Sequence, residues 1–117
     1  MKKLLFISAI FTFFLANPAI AQISEASFPV SGNCSMCKKR IETAVDVKGV
    51  KSADWDMQTK VLHVKYKANK IQEEELKKLV AKAGYDTPGF TADSAAYQNL
   101  PGCCQYREGE KHNHPHH

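Results

Sequence analysis

The chain has 117 residues, with sixteen basic side chains against twelve acidic ones and a formal net charge of +4. That bias is too small to argue for a nucleic-acid partner. The length admits one small domain with a modest core.

Met1-Lys2-Lys3 is a positive start, Leu4 to Ala16 is apolar, and Ala19-Ile20-Ala21 supplies small residues. This reads as a signal peptide over 1–21, cleaved after Ala21. An uncleaved anchor is the alternative, but Asn17-Pro18 breaks the apolar run too early for a comfortable membrane span. The expected mature protein is periplasmic or otherwise exported and not membrane-embedded. It has about 96 residues and, with two basic side chains gone, a net charge of +2.

Ser27 to Val30 reads as a short strand, with Pro29 suggesting an edge position. Gly32-Asn33 marks a turn, after which Ile41, Ala44 and Val45 recur at helical spacing until Gly49. Ala53, Trp55 and Met57 alternate with polar residues over Val50 to Met57, and Leu62, Val64 and Tyr66 alternate beyond a turn at Gln58-Thr59-Lys60. Together they predict a hairpin. Glu73-Glu74-Glu75 opens a second helix at its positive end, with Leu76, Leu79, Val80 and Ala83 as the buried stripe and Gly84 as the stop. Tyr85 to Thr91 is expected to hold a last strand, interrupted by Pro88-Gly89. The predicted class is therefore α+β, a split βαβ sandwich with one antiparallel sheet and both helices on one face. From Ala92 the periodicity stops, and 93–117 is expected to be a Cys/His-containing tail, mostly disordered and flexible.

Cys34 and Cys37 stand where the first turn gives way to the first helix. A helix N-terminus lowers thiol pKa values, so both sulfurs are candidate thiolates. Thiolates at this spacing close either on one soft metal ion or on each other. A structural zinc site needs four ligands, usually two such pairs, and the domain supplies one. Two thiolates suit Cu(I), with Hg(II) following from the same softness. A low-coordinate, solvent-facing site lets a partner thiolate add before the first bonds break, which suits carriage rather than storage. The rival reading from another class is a thiol–disulfide oxidoreductase of thioredoxin type. The short chain, the missing βα repeats and the absence of Trp before the first cysteine argue against it. A plain structural disulfide is the third reading.

Gly32-Asn33-Cys34-x-x-Cys37 with its basic helix start, Gly49-Val50, and Ala83-Gly84-Tyr85 resemble the heavy-metal-associated domain family over about Ala26 to Phe90. The family includes copper chaperones, metal-binding domains of heavy-metal P-type ATPases and periplasmic mercury-binding proteins. The resemblance implies a ferredoxin-like βαββαβ fold over 22–92 and metal held by the Cys34 and Cys37 thiolates. It implies a heavy-metal P-type ATPase or other efflux or transport protein as partner, and no enzymatic reaction. It also places Tyr85 in the loop near the metal. The family commonly carries a methionine two residues before the first cysteine, where this chain has Gly32; Met36, between the cysteines, is read as a surface residue.

Lys38, Lys39 and Arg40 flank the thiols, either as a solvated helix face or as a docking patch that also stabilises thiolates. Cys103, Cys104, His112, His114, His116 and His117 form a second candidate metal site. Imidazoles there suit Cu(II), Ni(II) or Zn(II), and the paired thiols suit Cu(I). The alternatives are a vicinal disulfide, a mixed disulfide, a solubilising end, or a tail that folds back to complete the site at Cys34 and Cys37. A monomer is expected, with a metal-bridged dimer as the alternative.

Overall fold

The computed structural model describes residues 22–107. The signal-peptide reading of 1–21 and the four tail histidines lie outside the described residues. Strands β1 (Ile23–Pro29), β2 (Val50–Trp55) and β3 (Val61–Lys67) form an antiparallel sheet in the order β1-β3-β2. Helices α1 (Ser35–Ala44) and α2 (Glu73–Lys82) follow β1 and β3 in the chain. The ferredoxin-like arrangement is thus present, with both predicted helices and the predicted hairpin in place.

The alternation in the strands sets the inner face. Ala26 and Phe28 from β1, Trp55 from β2, and Leu62, Val64 and Tyr66 from β3 are buried with Ile41 and Val45 of the first helical segment and Leu76 and Val80 of α2. Each fully buried aliphatic side chain among these stabilises the fold by about 1.5–3 kcal/mol. The outer face is polar: Ser27 and His63 are hydrogen-bonded there at 2.7 Å, and Glu25 lies 3.7 Å from Lys65. His63 stands on that exposed face.

Three expectations need correction. β2 ends at Trp55 rather than Met57, because the Asp56 carboxylate accepts from the Gln58 and Thr59 amides and turns the chain; Met57 is left exposed. Tyr85 to Thr91 forms no fourth strand but one isolated bridge between Thr87 and Phe90. The neighbouring edge of β1 ends at Pro29, which has no amide to donate, and Pro88 lacks one too. The segment is held instead by two contacts at the end of β1: the Ser31 amide donates to the Asp86 carbonyl at 2.9 Å, and the Thr87 hydroxyl donates to the Pro29 carbonyl at 2.7 Å.

The third correction concerns the expected tail. Residues 93–107 are packed, not disordered. Asp93 caps α3 (Ser94–Gln98) by accepting from the Ala96 amide at 2.9 Å, and a 3₁₀ turn follows at Gly102–Cys104. Tyr97, Leu100, Cys104 and Tyr106 are buried against the core. Gly84 makes that packing feasible. Its φ is +105°, and a Cβ there would stand 3.0 Å from the Tyr97 amide nitrogen. Gly84→Ala is expected to cost about 1–3 kcal/mol, lowering the thermal midpoint by roughly 4–8 °C per kcal/mol. An unchanged melt would show that α3 does not sit on this turn.

Candidate metal centre

Cys34 is the N-cap of α1, with extended backbone angles (φ −147°, ψ 171°), and its carbonyl accepts from the Lys38 amide at 3.1 Å. Cys37 lies one turn into the helix on the inward face and is fully buried, whereas Cys34 is partly exposed. The sequence places both sulfurs at the mouth of the sandwich, and the fold brings them to 3.3 Å. The Cys37 thiol also donates to the Asn33 side-chain oxygen at 3.2 Å.

A third sulfur joins them. The Cys104 Sγ lies 3.6 Å from that of Cys34, and the three sulfurs all fall within 4.8 Å of one another. Cys104 is fully buried. Its partner in the expected second site, Cys103, is exposed and directs its thiol toward the Met36 sulfur at 3.8 Å. The adjacent cysteines therefore diverge, one into the thiol cluster and one onto the rim. Among the described residues, Cys34, Cys37 and Cys104 are the one group of side chains placed closely enough to hold a metal ion.

Burial opposes the Cys34 thiolate, but the Cys37 amide and the thiols of Cys37, Cys104 and Cys103 outweigh it and bring its pKa down to about 7. Burial pushes the Cys104 thiol strongly up. In the metal-free reduced protein, Cys34 alkylation should therefore reach half its plateau rate near pH 7, with Cys104 unmodified, as read by mass spectrometry of the peptides. The sign is set by the lowered value, which makes the thiolate form earlier than the ordinary 9.0. A half-point near pH 9 would contradict this environment for Cys34.

Tyr85 follows the glycine stop of α2 and adjoins the Cys104 and Cys37 sulfurs. It is fully buried, and its hydroxyl has no hydrogen-bond partner among the described residues. Burial, then the adjoining Cys104 and Cys37 sulfurs, hold it protonated far above the ordinary tyrosine range. A buried, unspent donor beside sulfur is suited to a thiolate that carries negative charge.

Lys38 does not support the thiols in the way expected. Its ammonium donates to Asp54 at 2.6 Å, Glu42 at 2.7 Å and the Trp55 carbonyl at 2.9 Å, tying α1 to the end of β2. Asp54 and Glu42 raise its pKa accordingly. Lys39 is exposed on the helix surface.

The heavy-metal-associated domain profile matches residues 30–86. A CopZ metallochaperone structure is 30% identical, with 55% of this chain and 98% of that one covered at a TM-score of 0.53. The chain belongs to the heavy-metal-associated domain family. It is also 28% identical to the N-terminal domain of a potential copper-translocating P-type ATPase from Bacillus subtilis, solved in the Cu(I)-loaded state, with 56% and 85% covered and a TM-score of 0.54. Oxidised MerP from Ralstonia metallidurans is 28% identical, with 56% and 94% covered and a TM-score of 0.53. No curated protein sequence matches the chain.

At Gly32, two residues before the first cysteine, the space a side chain would take is occupied by Trp55. A Cβ on Gly32 would stand 2.8 Å from the Trp55 ring and 3.3 Å from the Cys37 Cβ. The indole fills the space beneath the thiol loop, and its Nε1 donates to the Val30 carbonyl at 3.0 Å. Gly32 and Trp55 are thus one packing solution. The α3 segment, by contrast, lies beyond the family match and differs from the disordered tail the sequence predicts. Asp93 as a cap, with Tyr97, Leu100 and Cys104 at spacings of three and four, was the signal available.

Proposed function

We propose that this protein is an exported carrier of a soft metal ion, Cu(I), held by the Cys34 and Cys37 thiolates and passed to a membrane transporter such as a heavy-metal P-type ATPase. The observation that carries the reading is the sulfur pair itself: 3.3 Å apart at a helix N-terminus, one partly exposed and ionising near pH 7, the other buried. Soft thiolates favour Cu(I) among available ions. Similarity to a CopZ metallochaperone and to a Cu(I)-loaded ATPase domain supports the choice of ion and of partner. The leader-like residues 1–21 support export.

Transfer proceeds by ligand exchange. A partner thiolate bonds to the ion as the bond to the exposed Cys34 breaks, and a second partner thiolate then displaces Cys37. The ion stays Cu(I), the vacated thiolates are free to take protons from water, and no electron moves. The protein catalyses no reaction in this reading.

Mixing the Cu(I)-loaded protein with the metal-free N-terminal domain of a heavy-metal P-type ATPase tests the proposal. Copper should appear on the ATPase domain after separation, without a burst of chelatable free ion. Copper that remains wholly on the carrier, or reaches the domain only at the rate of spontaneous release, would contradict it. Hg(II) is the second reading, favoured by the same softness of the thiolate pair. It predicts that Hg(II), but not Cu(I), is retained against small-thiol competitors.

A further inference from the structure

We propose that Cys104 is a third sulfur ligand, making the site a trigonal tris-thiolate centre closed by the C-terminal segment. The inference rests on the soft-metal reading above and assigns the coordination number and retention of that site.

The placement of Cys104 is built. Its amide donates to the Pro101 carbonyl at 2.8 Å within the 3₁₀ turn. Two residues on, the Tyr106 hydroxyl donates to the Gly84 carbonyl and accepts from the Asp86 amide, both at 2.9 Å. Arg107 clamps the Asp86 carboxylate with two bonds of 3.1 and 2.7 Å, and its amide donates to the Tyr97 hydroxyl at 3.0 Å. These contacts fix the segment to the loop that carries Tyr85. A buried cysteine is often only a small hydrophobe. Here, however, the sulfur abuts another thiol at 3.6 Å and adjoins the unspent Tyr85 hydroxyl, surroundings more polar than aliphatic packing needs.

The two sulfur–sulfur edges at Cys34 lie nearer the spacing of a three-coordinate ion than that of a two-coordinate one. With metal–sulfur bonds of about 2.3 Å, a trigonal ion sets its sulfurs about 4.0 Å apart and a linear two-coordinate ion sets them about 4.6 Å apart. The edges at Cys34 are 3.3 and 3.6 Å, and no edge exceeds 4.8 Å. Opening them to the trigonal spacing needs the smaller movement. Each sulfur–metal bond replaces an S–H bond or a free thiolate, and any proton displaced leaves to water. The Tyr85 hydroxyl then has a charged sulfur to donate to.

A third ligand changes what transfer requires. A partner must displace Cys104 from a segment anchored at Asp86 and Gly84, so the ion is held more tightly and released more slowly than by the pair alone.

The test is X-ray absorption on the reduced full chain carrying one equivalent of Cu(I), with competition titrations on Cys104→Ser and Cys103→Ser. The expected result is three sulfurs per copper in the wild type, two in Cys104→Ser, and no change in Cys103→Ser. Affinity of Cys104→Ser should fall by at least the roughly ten- to hundredfold typical of losing a mere outer-shell partner. Two sulfurs per copper in the wild type would overturn the proposal while leaving the carrier reading intact, and this result needs no variant to fold. Failure of the wild type to take up Cu(I) at all would overturn both.

Discussion

Cys37→Ser is expected to abolish retention of Cu(I), weakening the affinity beyond roughly the hundredfold associated with outer-shell changes. Cys37 is the fully buried member of the sulfur pair, 3.3 Å from Cys34, and a serine hydroxyl is a hard, protonated oxygen at neutral pH that a soft ion does not favour. The substitution is nearly isosteric, and the new hydroxyl can still donate to the Asn33 oxygen that now accepts from the thiol. Stability should therefore shift by only about 1 kcal/mol, so that lost binding cannot be ascribed to unfolding. Cys34→Ser should lose the ion as well. Dithiol redox chemistry predicts a different pattern, with the attacking and resolving thiols failing unequally. A competition titration with a Cu(I) chelator, alongside a thermal melt of each variant, separates the two. Serine variants that hold copper as the wild type does would remove the pair from the site.

Trp55→Ala is expected to be the most damaging single change to the fold. Emptying a fully buried tryptophan site costs about 3–5 kcal/mol, and the Val30 carbonyl that accepts from the indole at 3.0 Å loses its partner. A small domain has about 5–15 kcal/mol in total. The expected loss is thus a large share of the stability, and at roughly 4–8 °C per kcal/mol the midpoint falls by more than about 12 °C. The cavity opens directly beneath the loop carrying Cys34 and Cys37, because the ring stands where a Gly32 side chain would go. Gly32→Met alone should overpack and also destabilise the domain. Combining Gly32→Met with Trp55→Ala should recover part of the loss, since the methionine then enters the vacated space. Differential scanning calorimetry of the two single variants and the double variant checks this; strictly additive destabilisation would show that the two positions do not share one volume.

The contrast between these two sites shows what a linear sequence carries. The positions of Cys34 and Cys37 follow from local signals: a Gly-Asn turn, then a helical stripe led by Ile41. The hairpin follows from strict alternation around Leu62, Val64 and Tyr66, all buried as that pattern requires. Neighbours remote in sequence left no such trace. Cys104 meets Cys34 across 70 residues, Lys38 meets Asp54 across 16, and Trp55 reaches the Gly32 loop through the fold alone. The fourth strand does not form because Pro29 and Pro88 remove the amides a ladder needs, a cost that appears only once the two segments are side by side. The α3 segment is not legible from periodicity because five residues are too few to show it, although the Asp93 cap is a local signal.

The most direct test of the central claim is a titration of the fully reduced chain with Cu(I) presented as a coloured chelator complex. Each chain is expected to withdraw one equivalent of copper and bleach the chelator, and either Cys34→Ser or Cys37→Ser to restore the colour. Copper left with the chelator, in a protein that instead reduces disulfides with turnover, would contradict it.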